Sequence, residues 1–158
     1  MMADLVFSVD KVEVLSDNGT DWTDLGVTKG GATFTQSTET LDINSDQNSD
    51  PEASIPTASP KTVRLNLLDA NPDNLALAFG GTVSTNTVSI PNLVTGTTKQ
   101  VRITTRAING VQYQIHIKNG FITGESEIAL SNTDAVVIPI TVEVMDSSDG
   151  YPVEITKL

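Results

Sequence analysis

The chain has 158 residues, 20 acidic and 9 basic side chains, a formal charge of −11 and no cysteine. This length predicts one domain with one hydrophobic core. Because aromatic residues are scarce, Val, Ile and Leu must form most of that core, and these residues are typical of β-strands. The acidity argues against a surface that grips nucleic acid, and the lack of cysteine excludes disulfides, thiolate metal sites and cysteine nucleophiles.

The N-terminal residues 1–7 have no basic stretch and no long apolar run. No segment of the chain reaches the roughly 18 apolar residues of a membrane-spanning helix. We therefore expect a soluble protein that is made without a signal peptide and has no membrane partner.

Alternation of apolar and polar residues predicts a succession of β-strands. The first strand, or arm, falls within residues 1–15, and a turn at 17–21 follows it. Further strands are predicted near residues 22–28, 32–43, 63–67, 82–90, 99–108, 111–118, 121–130, 136–145 and 152–156.

Two Asn-Gly pairs, Asn109-Gly110 and Asn119-Gly120, lie in the second half of the chain. Both residue types tolerate a positive φ, which two-residue hairpin turns require. The two pairs together predict a three-stranded meander.

One short helix is predicted at about 72–79. Asp69 or Asn71 can cap it, Pro72 suits its first position, and Gly80-Gly81 ends it. The complete prediction is an all-β fold of about nine to eleven antiparallel strands, a sandwich or a barrel, with this helix at one end or flank.

Residues 44–60 are polar and contain three prolines, so we predict a long loop rather than a strand. Loops of this length inside compact domains are uncommon and often functional.

The side chains of the usual catalytic and metal sites are missing or isolated. His116 is the only histidine, and its position between two isoleucines predicts an exposed strand residue. The chain has no nucleophile elbow and no phosphate-binding loop. Glu125 and Glu127 share a strand face without the aromatic platforms that a glycosidase cleft needs. We expect no enzymatic activity and no cofactor.

An oxygen ligand occupies every second position from Asp42 to Glu52, as in calcium-binding loops. Such a loop needs Gly at its sixth position and Glu at its twelfth, where this chain has Gln47 and Ala53. We expect a solvated loop, and a calcium-assisted β-sandwich binding or adhesion module is the alternative.

Several of the basic residues fall on predicted strands: Arg64, Lys99, Arg102 and Arg106. In so acidic a chain they are expected to pair with carboxylates of the same subunit or of a neighbour.

The order of these features resembles the tail tube (major tail) proteins of long-tailed bacteriophages, the siphophages. The similarity covers most of the chain as one domain, 1–158, and is sharpest over residues 31–81, especially 33–46 and 63–81. It includes the Ser/Asp/Pro-rich segment 44–60, the alternating strand after it and the helix segment Leu-Leu-Asp-Ala-Asn-Pro-Asp-Asn-Leu-Ala-Leu-Ala-Phe-Gly-Gly. A tail completion or baseplate hub protein is a related alternative.

The resemblance implies a β-sandwich or barrel whose hexameric rings stack into a hollow, acid-lined tube that delivers DNA without binding it specifically. It also implies synthesis in the host cytoplasm and incorporation into the virion tail, with terminator, tape measure and distal tail proteins as further partners. The long loop would reach the neighbouring ring.

Within this scheme, we predict an inner-wall position for Glu39 and Asp42 on the Thr-rich strand. The predicted inter-ring contacts lie in the loop, with Ile55 as their apolar anchor: Asp46, Asp50, Pro51, Glu52, Ile55 and Pro56.

Overall fold

A computed structural model describes residues 2–7, 9–16, 19–47, 49–107, 109–130 and 136–158. These residues form thirteen strands and one helix, α1, at Pro72–Phe79. The strands are β1 Met2–Phe7, β2 Val9–Leu15, β3 Trp22–Asp24, β4 Thr28–Ser37, β5 Glu39–Ile43, β6 Ala53–Ala58, β7 Lys61–Leu67, β8 Thr82–Ser84, β9 Thr87–Ser89, β10 Thr97–Thr105, β11 Tyr113–Ile122, β12 Ile138–Val144 and β13 Val153–Lys157. The all-β prediction with one short helix is confirmed.

Nine strands form the main sheet in the order β1-β4-β7-β12-β11-β10-β2-β3, with β13 paired to β11. All of its pairings are antiparallel. One residue separates β1, which pairs with β4, from β2, which pairs with β10. The chain therefore passes directly from β1, at one edge of the sheet, to β2, which lies next to the other edge. Buried side chains from both parts of the sheet form one core.

β7 is a central strand of the sheet, and its buried and exposed residues alternate strictly. Val63, Leu65 and Leu67 are at most 3% exposed, whereas the intervening Arg64 and Asn66 face solvent. Val63 lies opposite Phe34 of β4 on one side and Val142 of β12 on the other. Cross-strand apolar pairs of this kind fix the register, because a shift by one residue would move all the buried side chains of the strand to the solvent-exposed face.

The helix has the predicted limits. The Asn71 side chain accepts a hydrogen bond from the Asn74 backbone N–H at 2.9 Å, and Gly80 ends the helix with a φ of 72°. Inside the helix, Asn74 is buried and its Nδ2 donates to the Leu25 and Asp69 carbonyls at 2.8 and 2.9 Å. These bonds attach the helix to the strand ends around it.

The Asn109-Gly110 turn is confirmed, with φ values of 52° and 76°, but the Asn119-Gly120 turn is wrong. Residues 113–122 are one strand, and Gly120 pairs with Val144 inside it. A Cβ at Gly120 would lie 2.6 Å from Val142 Cγ1 and 3.0 Å from the Lys99 carbonyl oxygen. This glycine is needed for close packing and not for a turn, and the strand that follows β11 in the sheet is β12, at Ile138–Val144.

Four other segments differ from the prediction. The N-terminal strand is divided into β1 and β2, the Thr-rich strand into β4 and β5, and residues 82–90 into the hairpin β8–β9. The strand expected at 121–130 ends at Ile122. Asp17 and Asn18 of the predicted turn at 17–21 lie outside the described residues.

Candidate assembly surfaces

The predicted loop 44–60 is wrong over about a third of its length. Ala53–Ala58 is a strand, β6, which pairs with β5 outside the main sheet. The prolines led to the wrong prediction because Pro56 lies in a two-stranded ribbon, next to a register shift. An edge strand can contain a proline, since the missing N–H need not pair with a neighbouring strand. We call residues 39–58 the arm.

The arm has one apolar face. Directly opposite residues of an antiparallel pair share a face, and Leu41 lies opposite Ile55 while Ile43 lies opposite Ala53. Leu41, Ile55 and Ile43 are 58%, 48% and 45% exposed. Large apolar side chains are therefore presented to solvent on a hairpin that is exposed on both of its strands.

The opposite face of the arm is polar. Asp42 lies opposite Ser54, whose Oγ donates a hydrogen bond of 2.5 Å to Asp42 Oδ1. The chain between residues 30 and 60 contains five acidic side chains and no Lys or Arg. The arm is thus amphipathic and strongly anionic.

The two predicted groups of site residues fall on this one hairpin. Glu39 and Asp42 lie on β5, whereas Ile55 and Pro56 lie on β6. The other four predicted contact residues are exposed in the connection between these strands: Asp46, Asp50, Pro51 and Glu52. The lumenal position of the first pair and the inter-ring role of the rest stay predictions.

A row of polar residues that the sequence did not reveal crosses the outer face of the main sheet. The register places five side chains opposite one another on β3, β2, β10, β11 and β13: Asp24, Glu13, Arg102, His116 and Glu154. The pairing expected for Arg102 is confirmed, since it binds Glu13 of the same chain. No salt bridge joins Arg64 or Arg106 to another described residue.

Glu13 is only 7% exposed. Burial raises the pKa of its carboxyl group, but the hydrogen bonds and positive charge of Arg102, with Lys11, outweigh burial and hold this pKa below the ordinary value. The carboxylate is therefore charged at neutral pH, and Arg102 is the main group that stabilises the charge.

His116 is half-buried, so the prediction of an exposed residue is wrong. Its Nε2 lies 2.9 Å from Gln100 Oε1, and its ring packs edge-on against Trp22 with 5.6 Å between centroids. Burial lowers the pKa of His116. These contacts give His116 a structural role in the packing of the sheet surface.

Lys118 fastens the C-terminal segment to the sheet. Its ammonium group contacts the carboxylates of Asp149 and Glu154. The hydrogen bonds to these two groups raise the pKa of Lys118, and the bond from Lys118 holds the pKa of Asp149 well below its usual range. These ion pairs are structural and exposed.

The described residues contain no group of three or more His, Cys, Asp or Glu side chains arranged to hold a metal ion. Asn48, within the predicted calcium-like segment, lies outside them. A groove of about 560 Å³ between α1, β2 and β3 is lined by Asp24, Asp73 and Lys99 among polar and apolar residues. No helix of the described part is long and apolar enough to cross a membrane.

The model of the phage tail tube protein family matches residues 8–154. The chain belongs to this family. A search of curated proteins found no match. As a phage tail tube protein the chain is a structural component of the virion tail that assembles with itself and with other tail proteins, and membership of a structural family implies a non-enzymatic role.

Proposed function

We propose that this tail tube protein closes into hexameric rings, which stack into a hollow tube that delivers DNA to the host. The amphipathic arm is the observation that carries the proposal. An isolated two-stranded hairpin is marginally stable in water, and exposed apolar surface on such a hairpin favours a partner. A neighbouring subunit that covers Leu41 and Ile55 would stabilise the arm.

Open sheet edges support ring closure. Among the strands of the described residues, β1 pairs only with β4, and β13 pairs only with β11. An unpaired edge is a template for another chain, and a head-to-tail contact that closes produces a ring. Stacking through the arm would then extend rings into a tube.

The acidic side chains of the arm support a DNA-repelling channel. Carboxylates that face a passing duplex repel its phosphates, which prevents binding and reduces friction. We propose that Asp42, on the polar face, and Glu39, at the base of β5, line the channel, while the apolar side chains Leu41, Ile43 and Ile55 and the connection between β5 and β6 contact the next ring. Terminator, tape measure and distal tail proteins would contact the ends and the interior. The subunits would be made in the host cytoplasm before they assemble.

The decisive experiment removes the apolar face without deleting the arm. The double variant Leu41→Ser/Ile55→Ser should remain folded by circular dichroism yet form no tubes in negative-stain micrographs at concentrations where the unchanged protein does. Val27→Ser/Leu93→Ser is the matched control, because Val27 and Leu93 are 60% and 77% exposed elsewhere. Normal tubes from Leu41→Ser/Ile55→Ser would contradict the role of the arm.

The same tubes test the ring number and the channel. Class averages of tube cross-sections should show sixfold symmetry, and any other symmetry would contradict the hexamer. Tubes of Glu39→Lys/Asp42→Lys should retain short DNA that unchanged tubes release at moderate salt, since added cations bind phosphate. Equal retention by both would place these two residues outside the channel.

A further inference from the structure

A second apolar surface lies at the C-terminal edge of the sheet. We call five residues around the outer edge of β13 the C-terminal patch: Tyr113, Ile155 and Lys157, which the register puts on one face, Leu158, which follows β13, and Arg106, which begins the connection from β10 to β11. Tyr113, Ile155 and Leu158 are 44%, 52% and 58% exposed. Tyr113 lies opposite Lys157 on β13, and the Leu158 N–H donates to the Gln112 carbonyl at 2.9 Å. The patch is therefore held in a fixed place by β11.

The patch is cationic in an anionic chain. Arg106 and Lys157 are exposed, and no salt bridge joins either of them to another residue of the described ranges. The acidic residues Asp149 and Glu154 of the C-terminal segment are engaged by Lys118.

We infer that the C-terminal patch of one subunit receives the arm of a second copy. This inference rests on the proposed function and identifies the surface on which the arm docks. The arm offers Leu41, Ile43 and Ile55 beside five carboxylates, with no Lys or Arg between residues 30 and 60, and the patch offers apolar side chains beside two exposed cations. Both surfaces are exposed within one chain, so the two cover each other only between copies.

The backbone supports the same docking. β13 has five residues, and β5 and β6 of the arm have five and six. β13 uses one edge for β11, which leaves its other edge able to pair with an added strand. Main-chain hydrogen bonds would supply part of the binding, and the apolar and charged side chains would select the partner.

The absence of native cysteine permits a direct test. In the double variant Ile55→Cys/Ile155→Cys, mild oxidation of assembled tubes should link copies into a ladder of disulfide-bonded species on a denaturing gel. The control Ile55→Cys/Leu93→Cys should give no ladder. Tubes that form from Ile55→Cys/Ile155→Cys but yield no more cross-linking than the control would overturn the inference.

Charge reversal provides the second test. Arg106→Glu/Lys157→Glu should raise the concentration needed for assembly at least about tenfold, whereas Lys29→Glu/Arg64→Glu makes the same change in net charge and should not. Adding Asp46→Lys/Asp50→Lys to the first variant should restore part of the assembly. Equal effects of the two reversals would overturn the inference. If Leu41→Ser/Ile55→Ser still forms tubes, the proposed function of the arm fails; if it does not but the patch variants assemble normally, the docking surface alone is wrong.

Discussion

The guanidinium group of Arg102 holds Glu13 in a two-pronged ion pair across neighbouring strands. Its Nε and Nη2 donate to Glu13 Oε1 at 3.1 and 3.0 Å, and Nη2 also donates to Oε2 at 3.0 Å. The same group lies 4.1 Å from the centroid of the Trp22 ring. One side chain thus links β2, β3 and β10 on the outer face of the sheet.

Replacing Arg102 should destabilise the fold. Arg102→Gln leaves a nearly buried carboxylate without its cation and removes the contact with Trp22, so we expect the free energy of unfolding to fall by about 2–3 kcal/mol. Urea unfolding measures it. Arg64→Gln is the control and should cost less than about 0.5 kcal/mol, since Arg64 is exposed. Glu13→Gln/Arg102→Gln should recover part of the loss, and strict additivity would contradict a coupled pair.

His116 should produce a stability change at mildly acidic pH. Burial lowers its pKa from the ordinary 6.5, so the unfolded chain binds a proton at a pH where the folded chain does not. Stability should therefore fall as the pH drops below about 6.5. His116 is the only histidine of the chain, so His116→Gln should make the urea concentration at the unfolding midpoint nearly independent of pH between pH 7 and 5.5. An unchanged pH profile in the variant would show that burial of His116 does not contribute to stability.

Local signals predicted the parts of the fold that depend on neighbours in sequence. The helix limits follow from Asn71, Pro72 and Gly80, and the Asn109-Gly110 turn follows from two residues that accept a positive φ. Asn119-Gly120 carries the same local signal, but β12 and β10 pack against Gly120 and keep the chain extended. Tertiary packing overrides turn propensity there.

The candidate site was predictable only in part. Composition and resemblance indicated an acidic segment with Ile55 as an apolar contact, but the partner strand that makes this segment a hairpin depends on the register of Leu41 with Ile55. Glu13 and Arg102 are 89 residues apart in sequence, so only strand pairing brings them together. The row through His116 has the same origin.

The two glycines of the Asn-Gly pairs should respond differently to substitution. Gly110 needs its positive φ but has open space around its Cβ position, so Gly110→Asn should cost less than about 1 kcal/mol, because Asn accepts this conformation. Gly120→Asn would force a side chain against Val142 and the Lys99 carbonyl, and should cost about 3 kcal/mol or prevent folding. Thermal melting compares the two. Equal losses would contradict the assignment of Gly120 to packing.

Asn74 should be the residue of α1 least able to change. Its side-chain amide supplies hydrogen bonds to two carbonyl groups, those of Leu25 and Asp69, at a site that is 2% exposed. Asn74→Ala leaves both acceptors without these donors and should reduce the free energy of unfolding by about 2–3 kcal/mol, twice or more the roughly 1 kcal/mol expected for the cap variant Asn71→Ala. Asn74→Asp, which keeps the shape but replaces the donors with a charge, should be at least as destabilising as Asn74→Ala. Urea unfolding of the three variants decides the point: if Asn74→Asp is tolerated, the amide hydrogen bonds do not attach the helix, and the packing of Leu75 and Ala78 against the core must do so instead.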